Sequence, residues 1–230
     1  MSNWTRIRDA LSALATGEGL GAVFDKLRTS PAPERSVGFT IAVIALGAKM
    51  AKADGQVTRD EVSAFRRVFT IPEGEEINAA HVFNLARQDV AGFDSYARAI
   101  KSMFGPDNRD LFIDLIEGLF HIALADGTLH EAEEEFLAHV AQIFGLDDRC
   151  YRSIRARLTE GSRRDPYEVL GVAPDADLDA VRIAWRQAVK DNHPDVMIAR
   201  GVPPEAVNLA SRRLMAINAA WQEISAKRAA

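Results

Sequence analysis

A single cysteine, Cys150, among 230 residues leaves no disulfide framework and no cysteine-based zinc module, and it suits a reducing compartment. Long apolar runs are missing as well. The most apolar part of the N-terminal arm, Leu11 to Phe24, is interrupted by Gly17, Glu18, Gly19 and Gly21. It falls short of the roughly 18 to 20 apolar residues a spanning helix needs. Trp4, Arg6 and Arg8 leave open a peripheral amphipathic contact with a membrane surface. Nor is there an excess of positive charge: the formal net charge of −5 argues against nucleic acid as the main partner. No segment alternates apolar and polar residues as a half-buried strand would. What is present, 47% apolar and 27% charged residues in helical spacing, predicts a globular all-α fold.

Two breaks divide the chain. Ser30-Pro31-Ala32-Pro33 reads as a stiff break after the N-terminal arm, at which a domain starts, because proline does not continue a helix and biases its predecessor towards extended geometry. Thr159 to Asp165 is short, polar and glycine-containing. The expected layout is an arm over 1–30, a helical domain over 31–158, a linker over 159–165 and a second helical domain over 166–230.

The first domain contains an internal repeat. Ala53-Asp54-Gly55-Gln56-Val57-Thr58-Arg59-Asp60-Glu61 aligns without gaps to Ala125-Asp126-Gly127-Thr128-Leu129-His130-Glu131-Ala132-Glu133. Each copy follows an apolar helix (Phe39 to Lys52; Leu111 to Leu124) and precedes an amphipathic one (Glu61 to Phe69; Glu133 to Phe144), giving two helix-turn-helix halves. Glycine supplies the turn, and Thr58 with Glu61 reads as a capping box. The competing reading makes Asp54, Glu61, Asp126 and Glu133 oxygen ligands of a divalent cation. Gln56, Thr58, Thr128 and His130 fit a calcium loop poorly, so turn and cap chemistry is the better account.

From Asp165 onward three helices are expected. Pro166 suits a first helical position, and Gly171 ends that short element. Asp177 or its neighbour caps a second helix, with Val181, Ala184, Trp185 and Ala188 on one face and an end forced by Pro194. A third begins at Pro203-Pro204-Glu205 and carries Ala210, Leu214, Ile217, Trp221 and Ile224. Helices two and three make an antiparallel hairpin joined by a long loop that opens with His193-Pro194-Asp195. Arg182, Arg186 and Lys190, four residues apart on one face, form a basic stripe leading to His193.

This segment resembles the J-domain family over its whole length. Residues 165–172 resemble the family's first helix, 184–195 its second helix with the His-Pro-Asp loop, and 212–224 its third. Residues 193–210 are similar to the extended loop of the DjlA-type group, in which a TerB-like domain of the tellurite-resistance group precedes a C-terminal J domain. Residues 36–158 resemble that TerB-like domain. The resemblance implies a co-chaperone rather than an enzyme, without a cofactor. Its partner is a DnaK-type heat shock protein 70 chaperone, docked on His193, Pro194, Asp195, Arg182, Arg186 and Lys190. The TerB-like domain then serves location or client choice, and the chain is cytoplasmic or peripheral to the inner membrane. Trp185 stands where the family usually has tyrosine, Asn192 where an aromatic is frequent, and Val196 where a basic residue is frequent; Asp191 adds a negative charge beside the stripe. These departures imply docking that is either weakened or retuned to one particular chaperone. The alternative is a metal-responsive stress module whose J domain has become a plain interaction surface. Clients and oligomeric state are not legible from the sequence.

Overall fold

A computed structural model describes residues 32–53, 92–124, 127–158, 165–200, 202 and 208–229. Among them the only regular elements are helices: α1 (Ala32–Ala53), α2 (Phe93–Phe104), α3 (Arg109–Ala123), α4 (Glu131–Phe144), α5 (Asp148–Leu158), α6 (Pro166–Leu170), α7 (Leu178–Asp191), α8 (Pro194–Arg200) and α9 (Asn208–Ala229). The all-α expectation holds.

Helix α1 is apolar on every side, and every residue from Val37 to Met50 is buried. A helix of that kind belongs at the centre of a bundle. Helices α2, α3 and α4 pack on it. The approach is close where glycine permits it: a Cβ on Gly47 would stand 3.1 Å from Ile122 Cδ1. Paired rings fill the space further out, with Phe112 stacked on Phe144 at 4.7 Å and Phe93 tilted on Phe136 at 4.6 Å. Pro33 lies inside the first turn of α1 instead of before it. The helix thus begins within the break: a first-turn N–H has no intrahelical acceptor, so proline loses nothing there.

The second copy of the repeat is visible from Gly127, whose φ of +91° fits a turn glycine. At the start of α4 the His130 backbone N–H donates to Glu133 Oε2 at 3.0 Å, the reciprocal half of a capping box. Helix α4 ends at Gly145 in the left-handed conformation. Helix α5 then returns across the bundle, tied to α4 by Arg155–Glu134 at 3.0 Å. The first repeat copy beyond Ala53, the N-terminal arm, and residues 159–164 lie outside the described residues.

The C-terminal hairpin follows its expected capping. Asp165 accepts from the Tyr167 N–H at 2.9 Å, and Pro166 opens α6. Gly171 closes it with φ +65°. Asp177 accepts from the Ala180 N–H at 2.7 Å and starts α7. Val169, Leu170, Val181, Ile217, Ala220 and Ile224 form a small core of their own. The hairpin is not a separate bead, however. Ser153 of α5 donates to the Val169 carbonyl at 3.3 Å, and Met197, Val202, Leu209 and Ala210 belong to the core of the first bundle.

One expectation is corrected here. The connection between α7 and α9 is not simply a loop, because Pro194 begins the short helix α8. Proline breaks the preceding helix and is preorganised for the first position of the next, so both events meet at one residue. Helix α8 rests on α3 and buries Met197 completely. Burial of such a side chain stabilises by about 2 kcal/mol. The start of the third hairpin helix, at 203–207, lies outside the described residues.

Candidate functional site

The basic stripe and the His-Pro-Asp corner fall on one exposed edge of the hairpin. Val181 is the only fully buried residue of α7, so that helix is a rim element rather than a core one. It is fastened to α9 by aromatic stacking: Trp185 and Trp221 lie 5.1 Å apart with 12° between their planes, and Trp185 Nε1 donates to Asn218 Oδ1 at 2.9 Å. Arg182, Arg186 and Lys190 are exposed. Arg182 is partly engaged, 3.4 Å from Asp179 and 5.9 Å from the centre of the Trp221 ring. Lys190 sits in the last turn of α7, where the helix dipole favours a cation.

His193 links α7 to α8. Its carbonyl accepts from the N–H groups of Val196 and Met197 at 3.0 and 3.1 Å, so it opens α8. Its Nδ1 accepts from the Asp195 N–H at 3.3 Å and lies 3.6 Å from Asp195 Oδ2. The two side chains are 57% and 87% exposed, which leaves them open to a partner. Asp195 occupies the first turn of α8, where a carboxylate is favoured. The corner thus offers an imidazole, a carboxylate and a fixed bend for hydrogen bonding and ion pairing with another surface. The six residues expected to dock a chaperone therefore share one edge, although Arg182 leans on its own helix.

Behind this edge lies a cluster that sequence reasoning missed. Arg213 of α9 is 1% exposed at its side chain and pairs with two fully buried carboxylates of α3: Asp114 at 2.8 Å, and Glu117. Arg213 also donates to Asn192 Oδ1, and Asn192 Nδ2 donates to the Ala188 carbonyl at 2.6 Å. Burial pushes the Glu117 carboxyl up, but Arg213 and Arg157 outweigh it, and the net value lies below the ordinary carboxylate range. His121, one helical turn further along α3, goes the other way from a free histidine. Desolvation lowers it to about 4 against the pull of Glu117, with Arg212 and Arg213 adding to the depression. It is neutral at physiological pH. Two acids within apolar α3 and an arginine on the stripe of Leu209, Ala210, Ile217 and Ile224 were the available signal.

The remaining candidates are quickly placed. Glu133 is 3% exposed and caps α4; Asp54, Glu61 and Asp126 lie outside the described residues. No group of three or more possible metal ligands occurs among the described residues. Burial raises the Cys150 thiol above its ordinary value, away from a reactive thiolate. No helix among the described residues is long and apolar enough to cross a membrane.

An all-helical bundle that shows a polar corner and a basic helix edge to solvent has the build of a recognition module. Residues 40–156 match the family model of the tellurite resistance protein TerB, and the chain belongs to that family. The chain is also similar to curated proteins named co-chaperone protein DjlA. That of Aliivibrio fischeri is 27% identical over 225 residues, covering 83% of this chain and 79% of the relative. That of Shewanella oneidensis is 26% identical over 225 residues, covering 91% and 85%. That of Escherichia coli strain K12 is 23% identical over 266 residues, covering 97% of each. No solved structure matches.

Proposed function

We propose that the chain is a J-type co-chaperone that docks on a DnaK-type heat shock protein 70 chaperone and stimulates its ATP hydrolysis. The observation that carries the reading is the exposed His193-Pro194-Asp195 corner at the end of α7, continuous with Arg186 and Lys190. A basic edge suits an acidic docking surface and contributes orientation and encounter rate more than raw affinity. The co-chaperone name shared by relatives that align over most of the chain supports the same reading. In this role His193 and Asp195 contact the chaperone and perform no chemistry on its nucleotide. Pro194 fixes the bend between them. The TerB-like bundle gives localisation or client choice.

The test is the single-turnover ATPase of the cognate DnaK-type chaperone with increasing amounts of the purified chain. Stimulation is expected for the wild type, and its loss for His193→Gln. Equal rates with wild type and variant sink the proposal.

A further inference from the structure

The buried cluster of Arg213, Asp114 and Glu117 has no part in the docking just described, yet it reaches the residue directly before His193. Helix α7 packs on α6, α8 and α9. Towards the first bundle it faces a cavity of about 440 Å³ lined by Arg157 of α5, Ala184, Ala188, Asn192 and Arg213. On that side a polar bridge reaches the C-terminal end of α7: two carboxylates of α3 hold the guanidinium, and the guanidinium donates to Asn192.

We infer that Arg213 and Asn192 are positioning residues, through which the first bundle sets the direction in which His193-Pro194-Asp195 leaves α7. Asn192 closes α7, its own N–H bonding to the Ala188 carbonyl at 3.1 Å, so a pull on its side chain is a pull on the helix end. Arg213 suits the task because its planar fork meets three acceptors at once, which a lysine ammonium does not do with the same directionality. On the far side of the corner Met197 anchors α8 in the core of the first bundle. The corner is therefore clamped on both flanks while its own side chains stay open. An acceptor at position 192, where the J-domain family that this segment resembles frequently has an aromatic, is what this arrangement requires: phenylalanine or tryptophan offers Arg213 none.

The functional consequence rests on the co-chaperone reading; the geometric one does not. A preordered corner binds without having to be ordered first, so loosening it weakens association and leaves the bound complex unchanged. The experiment uses the full chain with its cognate DnaK-type chaperone and compares wild type, Asn192→Ala, Asn192→Asp and the triple variant Asp114→Leu/Glu117→Met/Arg213→Met. The triple variant removes the three paired charges together, and Arg157, which also acts on Glu117, is the buried cation that stays. Single-turnover ATPase is read against co-chaperone concentration, and amide hydrogen exchange is read at Asp195, Val196 and Met197. Asn192→Ala and the triple variant are expected to raise the half-stimulating concentration about tenfold, with maximal rate within about twofold, and to quicken exchange about tenfold. Asn192→Asp keeps an acceptor for Arg213 and is expected within about twofold of wild type. Unchanged exchange in Asn192→Ala, or equal losses in the alanine and aspartate variants, overturns the inference. If the wild type stimulates no ATPase, the functional reading falls, and exchange still decides the positioning role.

Discussion

Two sets of charges sit on opposite sides of the same helical hairpin, and burial alone separates their roles. On the outer edge Arg186, Lys190, His193 and Asp195 stand in water, where an ion pair is worth little to stability and much to recognition. On the inner side Arg213, Asp114 and Glu117 are sealed from solvent. There the charges are expensive to desolvate and tolerable only together. A charge run on a helix has no meaning until its face is known. Here the outer face is the proposed docking edge, and the inner one meets another part of the same chain.

The largest expected effect on stability follows from removing Arg213, the inner cation paired with both carboxylates. Arg213→Ala leaves two buried carboxylates with Arg157 as the remaining arginine acting on Glu117, and a loss of about 3–5 kcal/mol is expected in urea unfolding. A loss below about 1 kcal/mol would place the cluster among surface charges.

Acid comes next in size. The unfolded His121 takes up a proton near its ordinary value of 6.5, but the folded one does so only near 4. The unfolded state therefore binds more protons between these values, and the contribution is intact above pH 6.5 and lost as pH falls towards 4. At most about 3 kcal/mol is at stake, since one pKa unit corresponds to about 1.4 kcal/mol. Glu117, whose folded value is depressed, adds a loss of the same sign below the ordinary carboxylate range. Urea midpoints between pH 7 and pH 4 should fall steadily, and His121→Phe should flatten the upper part of that fall. A flat wild-type profile contradicts the assignment of His121 as a buried neutral base.

The smallest effect on stability belongs to the outer edge. Arg186→Ala and Lys190→Ala are expected to shift unfolding by no more than about 0.5 kcal/mol. They should lower the rate of chaperone association, most at low salt. A change of several kcal/mol in unfolding would show that the edge is structural.

Much of this was legible in the sequence, for reasons that also mark where legibility ended. Local chemistry could be read: Asp165 and Asp177 as caps, Gly171 as a helix end, and Trp185 and Trp221 on facing sides of a hairpin all depend on spacing within a few residues. Prolines were harder, since one residue type both stops and starts helices. Pro194 was read as a stop, and Pro33 as part of a break that opens a domain; each lies in the first turn of a helix. The buried cluster was missed because its members come from α3 and α9, and periodicity within either helix says nothing about which distant helix it meets. The trace it left was two acids in an apolar helix and one arginine on an apolar stripe. Asn192 was read as a departure that weakens or retunes docking, and its partner in Arg213 was not foreseen.

The account turns on whether the outer corner is a docking site for an ATP-driven chaperone. The most direct measurement is the single-turnover ATPase of the cognate DnaK-type protein with the full chain and with His193→Gln at matched concentrations. Stimulation that rises to saturation with the wild type and is absent with the variant is the predicted result. Stimulation retained by His193→Gln, or absent from both, would contradict it.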